Sequence, residues 1–332
     1  MKRIVLFVLI AFCLDRGLAL AMSAAEQRAF SGERSGAVNT ALRNDADILV
    51  LGSSRAQMHV NPKVLEEKLG MTAYNAGLKG QDVLYSVMLF DLWKRRHPVP
   101  RVIVLTVDVE SLIERPTEIA TAHILAPHIN ESELVREVMY SGSAFRPVEY
   151  LSHAYRFNGQ VFSILKHARG RFDASDDGFR TKSSRLDPAI ETGVLNALDQ
   201  DATQMEYARR PLSTPKLAYL RELAGWSSAR GTRLFLLHTP LYRQDQAAHA
   251  VWMTNLQEFV DGLPGVEIID LCTASHPGIF ADRPEIYMNL NHLNATGADL
   301  LTGMLADEIG ARLRKDATER TGGTGPASAM TR

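Results

Sequence analysis

Two short segments carry residue types that can do acyl chemistry together. The first, Gly52-Ser53-Ser54-Arg55, ends an apolar run from Asp47 to Leu51. The second, Asn289-Leu290-Asn291-His292, lies near the far end of the chain. A Ser at the carboxyl end of a parallel strand sits where open α/β sheets bind ligands. A His delivered from a distant loop can take the hydroxyl proton and make that oxygen a nucleophile. Without each other the segments read plainly: Ser53 and Ser54 as helix N-caps, His292 as a loop residue.

Three further segments fall at expected strand ends. Asn75-Ala76-Gly77-Leu78-Lys79-Gly80-Gln81-Asp82 holds two glycines, and a turn of that kind presents backbone N–H groups that can stabilise an oxyanion. Thr106-Val107-Asp108-Val109-Glu110 offers Asp108, either to bond the first loop or to cap a helix. His238-Thr239-Pro240 reads as structural. The chain has two Cys. Cys13 lies in an N-terminal apolar run, so Cys272 is the one thiol of the body and reads as a small buried residue. No Cys/His spacing along the sequence matches a metal motif, and no metal or other cofactor is expected.

The elements that must position these residues alternate. Continuous apolar runs at 47–51, 72–77, 101–107, 232–237 and 266–271 read as buried parallel strands. Between them, 61–69 (with Pro62 in its first turn), 83–96, 217–229 and 298–313 read as helices. The pattern predicts a three-layer α/β sandwich on a five-stranded parallel, flavodoxin-like sheet. Residues 111–204 break the alternation and read as a helical insertion after the third strand. Its aromatics (Tyr150, Tyr155, Phe157, Phe162) read as packing residues, with sugar stacking as the other reading. The expected main domain spans 26–315, and the small polar residues of 316–332 read as a disordered tail.

The chain has 332 residues, 45% hydrophobic and 23% charged, enough apolar material for a substantial core. Net charge is −1 with no long run of either sign, which argues against a nucleic-acid partner. Lys2-Arg3 precede an apolar run from Ile4 to Leu14. Asp15-Arg16 interrupt it, and apolar character resumes to Met22. Residues 1–25 therefore read either as a cleaved export signal, with Ala19-Leu20-Ala21 as its cleavage site, or as an uncleaved membrane anchor. Both place the body outside the cytoplasm, periplasmic or at the cell surface.

The order strand-Gly-x-Ser, Asn-x-Gly-x-x-Gly, and a His before the last helix resembles the SGNH (GDSL-type) hydrolase family. It is most similar to the extracytoplasmic branch that acylates cell-surface polysaccharides. The resemblance covers about residues 46–110 and 230–313. It implies Ser54 as nucleophile, His292 as general base and Asn289 as the third member. It further implies an oxyanion hole from the N–H groups of Ser54 and Gly80, with Asn75, Asp108 and Arg55 on the oxyanion or substrate side. A covalent acyl-Ser intermediate would pass to water or to a sugar hydroxyl. The implied partners are a carbohydrate polymer, an acyl donor and a membrane-bound acyltransferase.

Two positions depart from that family. Residues 106–110 contain no Asn where the family has an oxyanion-hole Asn. Asn289 stands where the family usually has Asp, and in a Ser-His-Asp protease that exchange costs about 10⁴ in turnover. A different class of reading follows from these departures: a membrane-tethered, non-catalytic scaffold of a polysaccharide modification complex. A phosphate-binding loop at Gly52 is disfavoured because no GK[ST] follows.

Overall fold

The structure, a computed structural model, describes residues 1–30, 34–114, 118–187 and 200–322. Five parallel strands form the central sheet: β1 Ile48–Leu51, β2 Ala73–Asn75, β3 Val102–Thr106, β4 Arg233–His238 and β5 Val266–Asp270. Their spatial order is β2-β1-β3-β4-β5. The first helices are α1 Lys2–Glu26, α2 Ser35–Ala41, α3 Ser54–His59, α4 Pro62–Leu69 and α5 Val83–Trp93.

Alternate side chains of each strand feed opposite faces. Leu49, Leu51, Ile103, Leu105, Leu234 and Leu236 pack on one side with α5 and the helix Thr214–Ser228. Ile48, Val50, Val102, Val104, Phe235 and Leu237 pack on the other with Leu301, Leu305 and Ile309 of the final helix. Burial on both faces is why these runs are continuously apolar rather than alternating. The fold is therefore the expected three-layer α/β sandwich. Truncating a zero-exposure residue such as Leu105 to Ala should cost about 2–5 kcal/mol.

The chain leaves β1 for β2 on one side and returns to β3 on the other. That reversal opens a crevice beyond the carboxyl ends of β1 and β3. Gly52–Ser54 and Val107–Asp108 stand at its two lips.

Within the expected insertion the described residues form helices at Glu133–Ser141, Arg146–Glu149, Val161–His167 and Gln200–Arg209, and residues 188–199 lie outside the described set. An isolated bridge between Ile113 and Leu212 closes its base. Tyr150 and Phe157 are buried and Tyr155 is partly packed, but Phe162 is 90% exposed. Packing thus accounts for three of the four aromatics.

Residues 176–186 strap the site segments together. Asn75 N–H donates to Asp177 O, Arg180 N–H to Gln57 O, Leu186 N–H to Tyr287 O, and Ala295 N–H to Lys182 O.

Two features differ from the sequence expectation. A small antiparallel hairpin, β6 Tyr287–Asn289 and β7 His292–Leu293, precedes the final helix. The final helix runs Ala295–Gly322, past the expected boundary at 315. The remainder of the expected tail, 323–332, lies outside the described residues.

α1 is long and apolar enough to cross a membrane. Its second half is docked: Ala19 and Met22 pack against Phe157 and Ile164 of the insertion.

Candidate active site

Gly52 turns the chain out of β1 with φ +137°, and a Cβ there would lie 2.0 Å from Thr106 Oγ1. Only glycine combines that backbone with that approach. The two serines that follow divide their work. Ser53 is the N-cap of α3, its Oγ accepting from Arg55 N–H at 3.2 Å. Ser54 Oγ is left to meet His292 Nε2 at 2.8 Å.

The β6–β7 hairpin sets the other half. His292 Nδ1 lies 3.0 Å from Asn289 Oδ1, and Asn291 N–H donates to the same oxygen at 2.9 Å. A backbone N–H can only donate, so the atom that Asn289 turns inward is its carbonyl oxygen. Nδ1 of His292 then carries the ring proton, and Nε2 is free to accept from Ser54. Burial, followed by the charges of Arg55 and Lys79, pushes His292 down to about 4 against an opposing effect of Asp108. The ring is therefore neutral over the neutral range.

His59, which sequence reasoning missed, supports this ring from behind. It is fully buried, accepts Leu293 N–H on Nε2 at 3.1 Å, and meets His292 edge-on at 5.9 Å. Burial, then the charges of His292 and Arg55, hold it well below the usual histidine range. A His inside a short helix carried no spacing signal that could have marked it.

The glycine turn lies against the first loop. Leu78 N–H donates to Gly52 O, Lys79 N–H to Gln57 Oε1, and Gln81 N–H to Leu78 O. Among the described residues the N–H groups of Gly80 and Ser54 have no such partner. Gly80 takes φ +77° with open space around it.

Asn75 is placed differently from its expected substrate-side role. It is 1% exposed. Its Nδ2 donates to Ala56 O and Val60 O, and its Oδ1 accepts from Gly77 N–H. A side chain with its bonds spent on α3 and the turn positions those elements and cannot reach substrate. Asp108 caps the helix Val109–Leu112 through Ser111 N–H at 2.8 Å, and its carboxylate stands 3.7 Å from the Arg55 guanidinium. The cap expected for Asp108 is present, and toward the first loop it makes an ion-pair contact rather than a hydrogen bond.

A cavity of about 950 Å³ opens beside α3. Gln57, Met58, Lys79 and Gly80 line its inner wall; Arg146, Tyr155, Arg180 and Lys182 line the side toward the insertion. Among the described residues no carboxylate lines it. Ser54 and His292 stand beside this space rather than in its wall.

A second cluster gathers at the ends of β4 and β5. His238, His249, Asp270 and Cys272 bring one donor atom each to within 4.8 Å of one another, a set able to hold a metal. The sequence hid it, because its members come from two strand ends, a loop and a helix. Burial opposes ionisation of Asp270, but the two imidazoles and Ser275 outweigh it and hold the carboxyl far below its usual range. Burial, then the nearby Asp270 charge, pushes the Cys272 thiol up to about 12.

No protein-family model matches the chain, and no curated protein matches it. Among solved structures, a chain provisionally described as a platelet activating factor from Streptococcus pneumonia aligns over 93% of this chain and 100% of that one. The identity is 12% and the TM-score 0.38, a likeness too slight to carry any argument about this chain.

Proposed function

We propose that this chain is an extracytoplasmic, membrane-anchored serine O-acyl esterase or acyltransferase of the SGNH type, acting on a carbohydrate polymer. One observation carries the reading: the connected line Ser54 Oγ, His292 Nε2, His292 Nδ1, Asn289 Oδ1, with steps of 2.8 and 3.0 Å.

The chemistry follows from that line. His292 Nε2 takes the Ser54 proton as Oγ bonds to the acyl carbon, whose carbonyl electrons move to oxygen. The unpartnered N–H groups of Ser54 and Gly80 are donors available to that oxyanion. Collapse breaks the ester bond, His292 returns the proton to the departing alcohol, and acyl-Ser54 remains. Water or a sugar hydroxyl, deprotonated by His292, then attacks the acyl carbon; the bond from that carbon to Ser54 Oγ breaks, and His292 returns the proton to Oγ.

The cavity of about 950 Å³ is large enough to take a sugar-sized group. Its cationic lining favours an acidic glycan. Lys2-Arg3 before the apolar run of α1 favour a cytoplasmic N-terminus with the body on the far side. The full-length protein should hydrolyse p-nitrophenyl acetate, and a serine-directed phosphonate should label Ser54. Absence of both would favour the scaffold reading.

A further inference from the structure

The apolar run of α1 from Ile4 to Leu14 is exposed throughout. At 1.5 Å per residue it supplies only about 16 Å. The hydrocarbon core of a bilayer is about 30 Å thick. The helix reaches that thickness only by continuing to about Met22, and from Asp15 onward it lies against the insertion. Whatever surface flanks Asp15–Met22 must then enter the lipid with it.

That surface is apolar. Phe145, Val148 and Leu151 follow one another at helical spacing and are 76%, 63% and 69% exposed. Phe162 and Leu165, on the outer face of the helix whose Ile164 packs on Ala19 and Met22, are 90% and 57% exposed. Lone surface apolar residues need no explanation, but two groups beside one apolar helix do. We propose that these five side chains form a collar seated in the headgroup–acyl boundary of a bilayer, with α1 retained as the anchor.

The charged pair that interrupts α1 fits this placement. Asp15 accepts from Ser152 Oγ at 2.5 Å, His153 N–H at 3.0 Å and Ala154 N–H at 3.1 Å, and Arg16 donates to Leu151 O at 3.2 Å. Charges are tolerated at membrane depth when they face protein and their bonds are made there. Exposed Lys166 and Arg169 stand within reach of lipid phosphates. Cleavage after Ala21 would delete Asp15, Arg16 and Ala19, and with them the docking contacts.

The test places a fluorophore on single cysteines of the full chain carrying Cys13→Ser; Cys272 is buried. Reconstitution is into phosphatidylcholine vesicles with brominated acyl chains. Phe162→Cys and Val148→Cys should be quenched, Phe7→Cys more deeply, and exposed Glu67→Cys not at all. Phe7→Cys quenched with Phe162→Cys and Val148→Cys as bright as Glu67→Cys overturns the collar and points to a protein partner for that face. No quenching at Phe7→Cys overturns the anchor itself.

A separate observation carries a metal site. His238 and Asp270 end adjacent strands at paired positions, so both point to one face. Cys272, just past the end of β5, brings its Sγ to the same cluster. His249 reaches in from the helix Gln246–Val260, its ring stacked on His238 at 5.6 Å and 7°. His238 is 2% exposed, and its Nδ1 lies 3.3 Å from Asp270 Oδ1 without a hydrogen-bond partner. We infer that His238, His249, Asp270 and Cys272 form a closed structural site for a zinc-class divalent cation.

Two imidazoles, a carboxylate and a thiolate suit tetrahedral zinc, whose donor atoms stand about 3.3–3.8 Å apart. The present 4.8 Å span needs closure of about an ångström. Binding releases the Cys272 proton to solvent as sulfur bonds the metal. Outer-shell bonds are in place: Cys272 N–H donates to Asp270 Oδ1, and Ser275 Oγ to Asp270 Oδ2.

Full-length protein stripped with chelator and titrated with Zn²⁺ alone should take up one equivalent and melt at higher temperature. The Co²⁺ form should show thiolate-to-metal absorption that survives Cys13→Ser and vanishes in Cys272→Ser. His249→Gln should weaken zinc binding by about tenfold or more. Uptake unchanged in both Cys272→Ser and His249→Gln, or no uptake by the parent, overturns the site and leaves a hydrogen-bonded cluster only.

Discussion

Asn289 presents its carbonyl oxygen, not its amide nitrogen, to His292 Nδ1 at 3.0 Å, because Asn291 N–H already donates to that oxygen at 2.9 Å. The damage usually done by Asp→Asn comes from an imidazole held in the wrong tautomer. Here the tautomer is correct, and what is missing is only the negative charge that would steady an imidazolium. Asn289→Asp should therefore raise turnover of p-nitrophenyl acetate by about tenfold while Ser54→Ala lowers it by about 10³-fold or more.

The same variant should move the pH profile. With His292 pushed down to about 4, kcat/KM of the parent should rise through about pH 4 and stay flat to neutrality. A carboxylate at 289 favours the charged ring, so the acid limb of Asn289→Asp should shift upward.

Stability should follow pH in the same direction. His59, His238 and His292 all sit below the ordinary histidine value because burial disfavours their charged forms. The unfolded chain binds these protons more readily, so stability rises with pH between the folded and unfolded values. Tm should be flat above about pH 6.5 and fall as pH drops toward 4. His59→Gln should flatten part of that slope.

Gly52→Ala should abolish activity. Both the φ of +137° and the 2.0 Å approach of Thr106 Oγ1 oppose a side chain. A soluble, folded variant would have to move the β1–α3 turn and carry Ser54 off the His292 ring. Turnover should fall even in protein whose circular dichroism matches the parent.

Asp82 and Lys216 form a fully buried ion pair at 3.0 Å, tying the helix Thr214–Ser228 to the loop that bears Gly80. Lys216 Nζ also donates to Ile113 O at 2.7 Å. Asp82→Ala should cost about 3–5 kcal/mol in urea unfolding, because it strands a buried charge. The double exchange Asp82→Leu with Lys216→Met should recover most of that loss.

The sheet was legible because a strand buried on both faces is written as an unbroken apolar run, as at Ile48–Leu51 and Val102–Thr106. Ser54 and His292 were legible because strand ends and the loop before the last helix are where this architecture binds ligands. Asn75 was misread: a polar residue beside glycines looks like a ligand contact, and nothing local shows that Ala56 O and Val60 O consume its donors. The β6–β7 hairpin escaped because its strands are too short for a period. Asp15 looked like a fault in an apolar helix because its partners, Ser152 to Ala154, are distant in sequence.

Those Asp15 bonds make α1 a mast rather than a leash. A tethered domain swings through the volume its linker allows. Here α1 is pinned to the body at Asp15, Arg16, Ala19 and Met22. With α1 as the proposed anchor, Ser54 would stand at one fixed height and tilt above the lipid. On the function proposed above, a polymer substrate would have to come to that level, and any acyl donor would have to deliver there.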